Sequence, residues 1–291
     1  MKKIRKAVFP VAGLGTRMLP AAKTVAKEML TVVDRPLIHY VLAEARAAGI
    51  EHFVLVTGRG KAAIEDYFDH AVELEATLKA KHKNAVLDEL LADLPREGEI
   101  SYVRQMEPKG LGHAVWCARD VVGDEPFAVL LPDMIMDAEP GCTAQMIAAY
   151  EATQGSNIIA VEPCPPGMAH QYGIVALDGR SGRLNRMTGM IEKPPAGTEP
   201  SNLFISGRYL LSPEVFDVLS RQERGAGGEI QLTDAMLTML SNGSLFHALE
   251  YEGTTYDCGD KLGWLRANVA MALKRPDLRG VREMISAELA R

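Results

Sequence analysis

The chain has 291 residues, of which 47% are hydrophobic and 24% are charged, and its formal net charge is −6 at pH 7. This length and composition allow one large α/β domain with its own buried core and no need of disulfide support. The negative charge, together with the absence of a long Lys/Arg run, argues against a nucleic-acid-binding surface.

The four cysteines are widely separated and show no metal-ligand spacing: Cys117, Cys142, Cys164 and Cys258. This pattern predicts free thiols in a reducing compartment. The basic N-terminal residues precede an apolar run that is too short to be an export signal. No apolar stretch of the sequence is long enough to cross a membrane. We therefore expect a cytoplasmic protein without a membrane partner.

The first strand is expected at residues 7–9, a short apolar run followed by a glycine-containing turn at residues 12–17 (AGLGTR). Because glycine tolerates positive φ and has no Cβ, the main chain can approach a ligand there, and its N–H groups can form an anion-binding concavity. Arg17, Lys23 and Lys27 supply cations close by. The turn therefore predicts a polyphosphate site.

The same glycines could begin a dinucleotide-binding fingerprint, which requires a small residue three positions after the second glycine. Met18 occupies that position here, and Pro20 follows it. No βαβ unit with an acidic residue at the end of its second strand follows either. The pattern therefore disfavours an NAD-dependent oxidoreductase.

Strands and helices alternate through the first half of the sequence. The predicted elements are a helix at 36–48, a strand at 52–57, a helix at 62–68, a helical surface insertion at 71–94, a strand at 100–105, a helix at 112–121 and a strand at 127–131. This alternation predicts an α/β fold with a mostly parallel sheet that is covered by helices on both faces. Ligands bind beyond the carboxyl ends of such strands, where the glycine turn, Gln105 and Asp133 are expected.

The second half is less regular, and it predicts a smaller lobe attached to the same sheet. The expected elements are strands at 157–161, 173–177, 183–191 and 203–211, a hairpin turn at 178–182, a helix at 212–219 capped by Ser212, and helices at 233–240 and 261–274. No internal repeat occurs, and no segment rich in Pro, Gly or Ser separates two units. We therefore expect one domain over residues 1–291.

Several motifs together resemble the sugar-1-phosphate nucleotidylyltransferases, and within them the bacterial UTP–glucose-1-phosphate uridylyltransferases. Besides the glycine turn, they are residues 27–30 (KEML), 33–38 (VDRPLI), 110–114 (GLGHA), 131–133 (LPD), 192–194 (EKP) and 228–234 (GEIQLTD). The resemblance covers nearly the whole chain. Ala26 and Thr31 stand where the family usually has proline, next to ligand positions rather than at them.

The resemblance implies a Rossmann-like fold of the nucleotide-diphospho-sugar transferase type. The nucleotide-binding half would be residues 1–135, and the half for sugar binding and oligomerisation would be residues 136–291. The implied reaction joins UTP and glucose 1-phosphate, with Mg²⁺, into UDP-glucose and pyrophosphate. The implied assembly is a homo-oligomer, either a dimer or a tetramer.

The resemblance also assigns roles to individual residues. The catalytic cations are Arg17, Lys27 and Lys193; the nucleotide-binding residues are Ala12, Gly13, Gly15, Glu28, Gln105, Gly110 and Gly112; the sugar-binding residues are Gly173, Glu192, Lys193 and Gly207; the Mg²⁺ ligands are Asp133 and Asp257. A glutamine side chain carries both a donor and an acceptor, so it can match part of the uracil edge. For His113 we prefer a capping or packing role to that of a catalytic base.

Two alternatives remain open from the sequence. One is a sibling enzyme that uses thymine or adenine nucleotides, because one methyl group in a pocket discriminates by only about 1–3 kcal/mol. The other is a non-catalytic paralogue that binds a nucleotide sugar. The joint presence of Asp133, Asp257, Lys27 and Lys193 argues against the paralogue, since binding alone does not require a metal pair.

Overall fold

The strands of the chain form one large sheet and two small ones. In this computed structural model, which describes residues 1–291 except for the side chain of Ala226, the strands are β1 (Lys6–Pro10), β2 (Thr31–Val32), β3 (Arg35–Pro36), β4 (His52–Thr57), β5 (Ile100–Arg104), β6 (Phe127–Leu130), β7 (Met134–Asp137), β8 (Asn157–Pro163), β9 (Gly173–Leu177), β10 (Leu184–Glu192), β11 (Leu203–Leu211), β12 (Phe246–Glu250) and β13 (Thr254–Asp257).

The helices lie mainly between these strands in sequence. They are α1 (Leu37–Ala47), α2 (Ala62–Tyr67), α3 (Val72–Ala80), α4 (Asn84–Ala92), α5 (Leu111–Cys117), α6 (Arg119–Val122), α7 (Cys142–Ala152), α8 (Glu214–Arg221), α9 (Leu232–Ser241), α10 (Lys261–Lys274) and α11 (Val281–Leu289). Among the described residues, no helix has both the length and the apolar character needed to cross a bilayer.

The large sheet has nine strands in the order β5-β4-β1-β6-β11-β8-β12-β10-β9. The first four are parallel, whereas β11 runs antiparallel to both of its neighbours in that order, β6 and β8. The strands β1, β4 and β6 carry apolar runs that are covered on both faces of the sheet, whereas the edge strand β5 is only partly buried. The predicted α/β fold is therefore confirmed, with its parallel strands in the first half of the chain and a mixed arrangement in the second.

Two apolar clusters cover the two faces of this sheet. Because successive side chains of a strand point to opposite faces, Val8 packs in the cluster that includes α5, α8 and α9. Its neighbours Ala7 and Phe9 pack in the cluster that includes α1 and α7. A third, smaller cluster joins α10 to the two-stranded sheet of β7 and β13. This last cluster positions the chain around residues 133 and 257.

Some predicted elements differ from the structure. The predicted helix at 112–121 is interrupted at Ala118 and forms α5 and α6. The predicted serine cap is wrong: α8 begins at Glu214 after Pro213, without a side-chain cap, and the Ser212 Oγ is buried without a hydrogen-bond partner. Several elements were not predicted as such, namely β2, β3, β7, β12, β13, α7 and α11.

Candidate functional site

Four parallel strands end at the same edge of the sheet. The glycine turn follows β1, Gly58 follows β4, Gln105 follows β5, and Asp133 lies three residues after β6. Since the carboxyl ends of parallel strands meet at one edge, these segments surround a common space. We call this edge the nucleotide rim.

The glycine turn is held in place by its neighbours. Gly15 has φ +66°, and a Cβ at this position would lie 3.2 Å from the Cβ atoms of Ala22 and Lys27. A Cβ at Gly58 would lie 3.3 Å from the Cβ of Ala12. The turn therefore needs glycine both for its conformation and for the close approach of Lys27. Gly13 is more open, since its Cβ would meet only the Cε of Lys27, at 3.9 Å.

Lys27 and Asp133 form an ion pair across the nucleotide rim. The Lys27 Nζ donates to the Asp133 Oδ2 over 2.6 Å, and the two side chains are only 18% and 11% exposed. Burial alone would raise the pKa of Asp133, but the charge and hydrogen bond of Lys27 lower it on balance. Burial opposes the charge of Lys27 as well, yet Asp133 and Glu28 raise its pKa. Both groups are therefore ionised near neutral pH.

Asp257 lies beside Asp133 because β13 pairs with β7. The register aligns Asp257 with Met134, and the Cys258 N–H donates to the carbonyl of Asp133 over 2.7 Å. The Asp257 Oδ1 accepts from the Gly259 N–H over 2.8 Å. Burial raises the pKa of Asp257, and the charge of Asp133 adds to this effect. Two carboxylates therefore repel each other at the rim.

The guanidinium of Arg17 lies next to Gly259 and the carboxylate of Asp257. A Cβ at Gly259 would come within 2.6 Å of a terminal nitrogen of the Arg17 guanidinium and 2.8 Å of the Asp257 Oδ1. The charge of Arg17 lowers the pKa of both Asp133 and Asp257. Arg17 is exposed at its position after the glycine turn. It is therefore accessible to an anionic ligand that binds at the rim.

The two carboxylates fit a magnesium ion that is shared with a ligand. Carboxylate oxygens are hard donors, which Mg²⁺ prefers, and the repulsion between Asp133 and Asp257 is what a cation relieves. Within the described part of the chain, no group of three or more His, Cys, Asp or Glu residues could hold a metal. An ion at this place would therefore complete its coordination with phosphate oxygens and water, as Mg²⁺ commonly does.

Glu28 is paired with a residue that the sequence analysis missed. The Lys61 Nζ donates to the Glu28 Oε2 over 2.7 Å, and both side chains are buried. The Glu28 Oε1 is also buried but has no hydrogen-bond partner among the described residues. Burial raises the pKa of Glu28 although Lys61 and Lys27 oppose it. One feature of the sequence could have indicated Lys61: it directly follows the turn at residues 58–60, which comes after the buried parallel strand β4.

Gln105 is fixed by two acceptors of the protein. Its amide nitrogen faces the carbonyl of Gly110 at 3.1 Å and the Nδ1 of His113 at 3.0 Å. Burial and the charge of Lys109 lower the pKa of His113, and its ring stacks on Trp116 at 5.9 Å between centroids. A neutral His113 therefore accepts from Gln105, a packing role like the one we preferred. The Gln105 amide oxygen is the atom left to meet a donor of a ligand.

The GLGHA and GEIQLTD motifs pack against each other. The Gly112 N–H donates to the Ile230 carbonyl over 2.8 Å, and the Ile230 N–H donates to the Lys109 carbonyl over 2.7 Å. A Cβ at Gly110 would lie 2.7 Å from the Glu229 Cβ, and one at Gly112 would lie 2.8 Å from the Ile230 carbonyl oxygen. Packing between the two motifs therefore requires both glycines, whatever ligand they contact.

The predicted sugar-binding residues meet at the ends of β9 and β10. The Glu192 Oε2 accepts from the Thr233 Oγ1 over 2.8 Å. A Cβ at Gly173 would lie 3.1 Å from that same Glu192 oxygen. Thr233 was not among the predicted site residues, although it belongs to the GEIQLTD motif. Glu192 is therefore oriented by a hydroxyl group, and Gly173 leaves room beside it.

Lys193 has an unusual backbone conformation for a lysine. Its φ is +48°, and its N–H donates to the Tyr172 carbonyl over 3.0 Å. Its side chain is 51% exposed, with the Nζ 3.7 Å from the Glu192 Oε1. A non-glycine residue with positive φ is uncommon and is concentrated at functional positions. Lys193 is therefore a cation with a fixed backbone and a half-exposed side chain.

Gly207 lies between the two halves of the site. Its φ is +82°, its carbonyl accepts from the Leu131 N–H over 2.9 Å, and a Cβ there would lie 3.0 Å from Leu131. The structure thus places it against the turn that leads to Asp133. The nearby Tyr209 hydroxyl is buried, which raises its pKa, and the charges of Glu192 and Asp133 both contribute. Glu192, one of the predicted sugar-binding residues, and the carboxylate of Asp133 therefore lie close enough to Tyr209 for both of their charges to affect its hydroxyl.

Comparison with protein families and characterised relatives gives one consistent result. Residues 6–272 match the Nucleotidyl transferase family. The chain is 49% identical to the UTP–glucose-1-phosphate uridylyltransferase of Bacillus subtilis over 279 residues, which are 96% of this chain and 94% of that protein. It is 47% identical to the protein of the same name from Staphylococcus haemolyticus, over 96% of each chain.

Solved structures show the same similarity. A UTP-bound UGPase from Acinetobacter baumannii superposes with a TM-score of 0.90 at 45% identity, over 98% of this chain and 99% of that chain. A UDP-glucose pyrophosphorylase complexed with UDP-glucose gives a TM-score of 0.82 at 38% identity, over 94% and 100% of the two chains. The arrangement of strands and turns around the rim is therefore shared with these proteins.

The Lys27–Asp133 pair leads to a prediction about stability and pH. In Lys27→Met, Asp133 becomes a buried carboxylate without its main partner, which should cost about 3 kcal/mol of unfolding free energy at pH 7. In the wild type the pKa of Asp133 is lowered on folding, so the pair's contribution is lost as the pH falls through that pKa. The difference between the two proteins should therefore be largest near pH 7 and should decrease below about pH 4.

Urea denaturation at several pH values measures this difference. Lys23→Met, which removes an exposed lysine of the same loop, is the matched control and should change the unfolding free energy by less than about 0.5 kcal/mol at any pH. A Lys27→Met cost that stays constant as the pH falls from 7 to below the pKa of Asp133 in the folded wild type would mean that the Lys27–Asp133 charge interaction does not stabilise the fold.

Proposed function

This chain belongs to the nucleotidyl transferase family, and we propose that it is a UTP–glucose-1-phosphate uridylyltransferase. The resemblance found in its motifs is confirmed by relatives that match it over nearly their full length. The observation that carries the proposal is the joint placement of Asp133, Asp257, Arg17 and Lys27 at the nucleotide rim. Two acidic groups and two cations next to a glycine turn suit a nucleoside triphosphate.

The reaction needs no nucleophile from the protein. An oxygen of the glucose 1-phosphate is already anionic, so it attacks the α-phosphorus of UTP without a general base. A new oxygen–phosphorus bond forms in line with the bond to the β-phosphate, which breaks and releases pyrophosphate. The products are UDP-glucose and pyrophosphate. Catalysis then consists of positioning and of neutralising the phosphate charges.

Different cations of the chain bind the leaving pyrophosphate and the phosphate of the sugar. Arg17 and Lys27 hold the leaving pyrophosphate, since both lie at the nucleotide rim. Lys193 steadies the phosphate of the sugar, beside Glu192, which accepts from the sugar hydroxyls. Loss of one such cation should reduce the rate at least about 10²-fold, as for other electrostatic stabilisers. In the absence of a ligand, Asp133 keeps Lys27 charged and at the rim.

Asp133 and Asp257 would hold the Mg²⁺. When bound, this ion supplies Lewis-acid neutralisation of the phosphate oxygens. The support for this assignment is the repulsion between the two carboxylates and the hard character of their oxygens. Asp133 would bind the metal and also binds Lys27, so the carboxylate of Asp133 positions the ammonium group of Lys27.

Uracil fits the fixed groups beyond the turn. Its edge offers two carbonyl acceptors and one imide donor. The Gln105 amide oxygen is available for the imide N–H, because the amide nitrogen already faces Gly110 and His113. Main-chain N–H groups of Ala12, Gly13 and the loop at Gly110 are donors for the carbonyls. Thymine presents the same edge, so its exclusion depends on the space around one methyl group.

The activity is tested with a panel of substrates. We expect pyrophosphate release from UTP and glucose 1-phosphate in the presence of Mg²⁺, with formation of UDP-glucose and at least about 10-fold less product from dTTP or ATP. EDTA should stop the reaction, and added Mg²⁺ should restore it. A chain that binds UDP-glucose but releases no pyrophosphate from any pair would instead be a non-catalytic paralogue.

The two lysines should have separable effects. Lys193→Ala should weaken the use of glucose 1-phosphate and reduce the rate at least about 10²-fold, with little change in UTP affinity. Lys27→Ala should impair UTP binding and use, because its ammonium group lies at the nucleotide rim.

Calorimetric titration with UTP, together with steady-state rates for each substrate, distinguishes these effects. Lys79→Ala, which removes an exposed lysine of α3, is the control and should leave both within about twofold. Equal losses of UTP affinity in Lys193→Ala and Lys27→Ala would show that the triphosphate and the sugar phosphate do not have separate lysines.

We further propose that the chain is a single nucleotidyltransferase domain that assembles with copies of itself in the cytoplasm. The four free cysteines support a reducing location. The apolar residues of α9 are largely buried in the core, whereas α10 exposes a stripe of apolar side chains. The stripe consists of Leu262, Leu265, Val269 and Leu273, which share one helix face at their spacing. A second copy would cover this stripe.

The assembly is measured by light scattering at micromolar concentration. We expect a mass of two or four times 31.7 kDa, and Leu265→Asp should lower it by placing a charge in the interface. Leu74→Asp changes a similarly exposed leucine on α3 and should leave the mass unchanged. A wild-type mass near 31.7 kDa would refute the proposed assembly.

A further inference from the structure

A fully buried arginine binds the turn that carries Asp133. Arg208 is in β11, directly after Gly207, and has no exposed surface. Burying a guanidinium is costly unless its donors are satisfied and its charge is neutralised. Burial alone would lower the pKa of Arg208, but the charge and the hydrogen bonds of Glu44 outweigh this effect and raise the pKa. The group is therefore charged, and its partners explain why it is tolerated.

The donors of Arg208 reach both sides of Asp133. Its Nη1 donates to the Leu131 carbonyl over 3.0 Å, and its Nη2 donates to the Met134 carbonyl over 2.7 Å. These two carbonyls flank Pro132 and Asp133, in the segment between the end of β6 and the start of β7. One planar group thus binds the backbone before and after the carboxylate.

The guanidinium is itself held by two helices. Glu44 of α1 accepts from the Arg208 Nε over 3.2 Å and from its Nη2 over 2.8 Å. The same glutamate accepts from the N–H and the hydroxyl of Thr143, at the start of α7, over 3.0 and 2.6 Å. The position of the guanidinium is therefore set by two helices that pack on the sheet.

We propose that Arg208 is a positioning residue for the Asp133 carboxylate. By binding the carbonyls of Leu131 and Met134, it fixes the turn from which Asp133 reaches Lys27 and lies beside Asp257. This inference rests on the proposed function in so far as Asp133 acts in the reaction. A lysine could not replace it, because an ammonium group lacks the planar fork that serves Glu44 and both carbonyls together.

The alternative is that Arg208 and Glu44 serve only the stability of the fold. The double variant Arg208→Met/Glu44→Gln separates the two roles, because it removes both buried charges and keeps an oxygen acceptor for Thr143. Replacing both members of a buried ion pair is often nearly neutral for stability. We expect the melting temperature of this variant to stay within about 5 °C of that of the wild type.

A positioning role predicts a local effect in the ligand-free protein. Pro132 has no amide hydrogen, so the probes are Leu131 and Met134, whose N–H groups are hydrogen-bonded. Their exchange should become at least about 10-fold faster in the double variant, while the amides of β1 and β4 keep their protection. In the assay for UDP-glucose, kcat should fall at least about 10-fold, and KM for UTP should stay within about threefold, because small displacements of a catalytic group are costly. Arg208→Lys should show the same two effects, and it provides the test if the double variant does not fold.

The matched control removes an arginine–glutamate pair elsewhere. The half-exposed Arg180 binds Glu250 through two donors, and Arg180→Met/Glu250→Gln should change neither the exchange at residues 131–134 nor kcat. The positioning role is refuted if both Arg208 variants exchange residues 131–134 as slowly as the wild type, whatever their activity. A wild-type chain without UDP-glucose synthesis, but with the expected exchange result, would refute the proposed function and leave the role of Arg208 in place.

Discussion

The ion pair between Lys27 and Asp133 connects the two segments on which the candidate site depends. Lys27 belongs to the loop after β1, and Asp133 belongs to the turn after β6. Because little solvent reaches either group, their attraction is stronger than it would be at the surface. The loop must bring Lys27 close enough to meet Asp133, and Gly15 allows that approach by having no side chain. The glycine turn therefore has the geometry that lets Lys27 pair with the buried carboxylate of Asp133.

Three buried or largely buried ion pairs surround the nucleotide rim, and each joins different parts of the chain. They are Lys27–Asp133, Lys61–Glu28 and Arg208–Glu44. Such pairs contribute little net stability, because desolvation offsets much of their attraction, but separating them is expensive. Each pair therefore specifies which elements must meet. A site that binds a highly charged ligand is built here from charges that are already fixed before the ligand arrives.

The long elements could be predicted from the sequence because their signals are local. Apolar runs that are followed by turn residues, namely Gly58, Asp178 and Ser212, predicted the bounds of β4, β9 and β11, and the bounds of α10 were also predicted. The strands β7 and β13 have four residues each, and they are stabilised by pairing across more than 100 residues, which a local pattern cannot show. For the same reason, the proximity of Asp257 to Asp133 could be predicted only from the family resemblance.

The ion pairs of Lys61 and Arg208 were beyond the sequence analysis for a different reason. The identity of a basic residue does not show whether its side chain is buried, because a buried charge needs a partner, and that partner can be distant in sequence. Arg208 did leave a signal, since it is the one charged residue in the apolar strand LFISGRYLL. Lys61 left a weaker one. In both cases the partner glutamate lies on an element that precedes it in the chain, 33 residues away for Lys61 and 164 for Arg208.

The antiparallel placement of β11 beside β6 has a consequence for the newly synthesised chain. β6 pairs with β1 on one side and with β11 on the other, and β11 ends at Leu211. While the ribosome is still making residues 131–202, β6 has one edge whose backbone N–H and C=O groups have no strand to pair with. Unpaired edges of this kind invite association with other chains. During the interval between the synthesis of β6 and that of β11, this edge is therefore open to pairing with another chain.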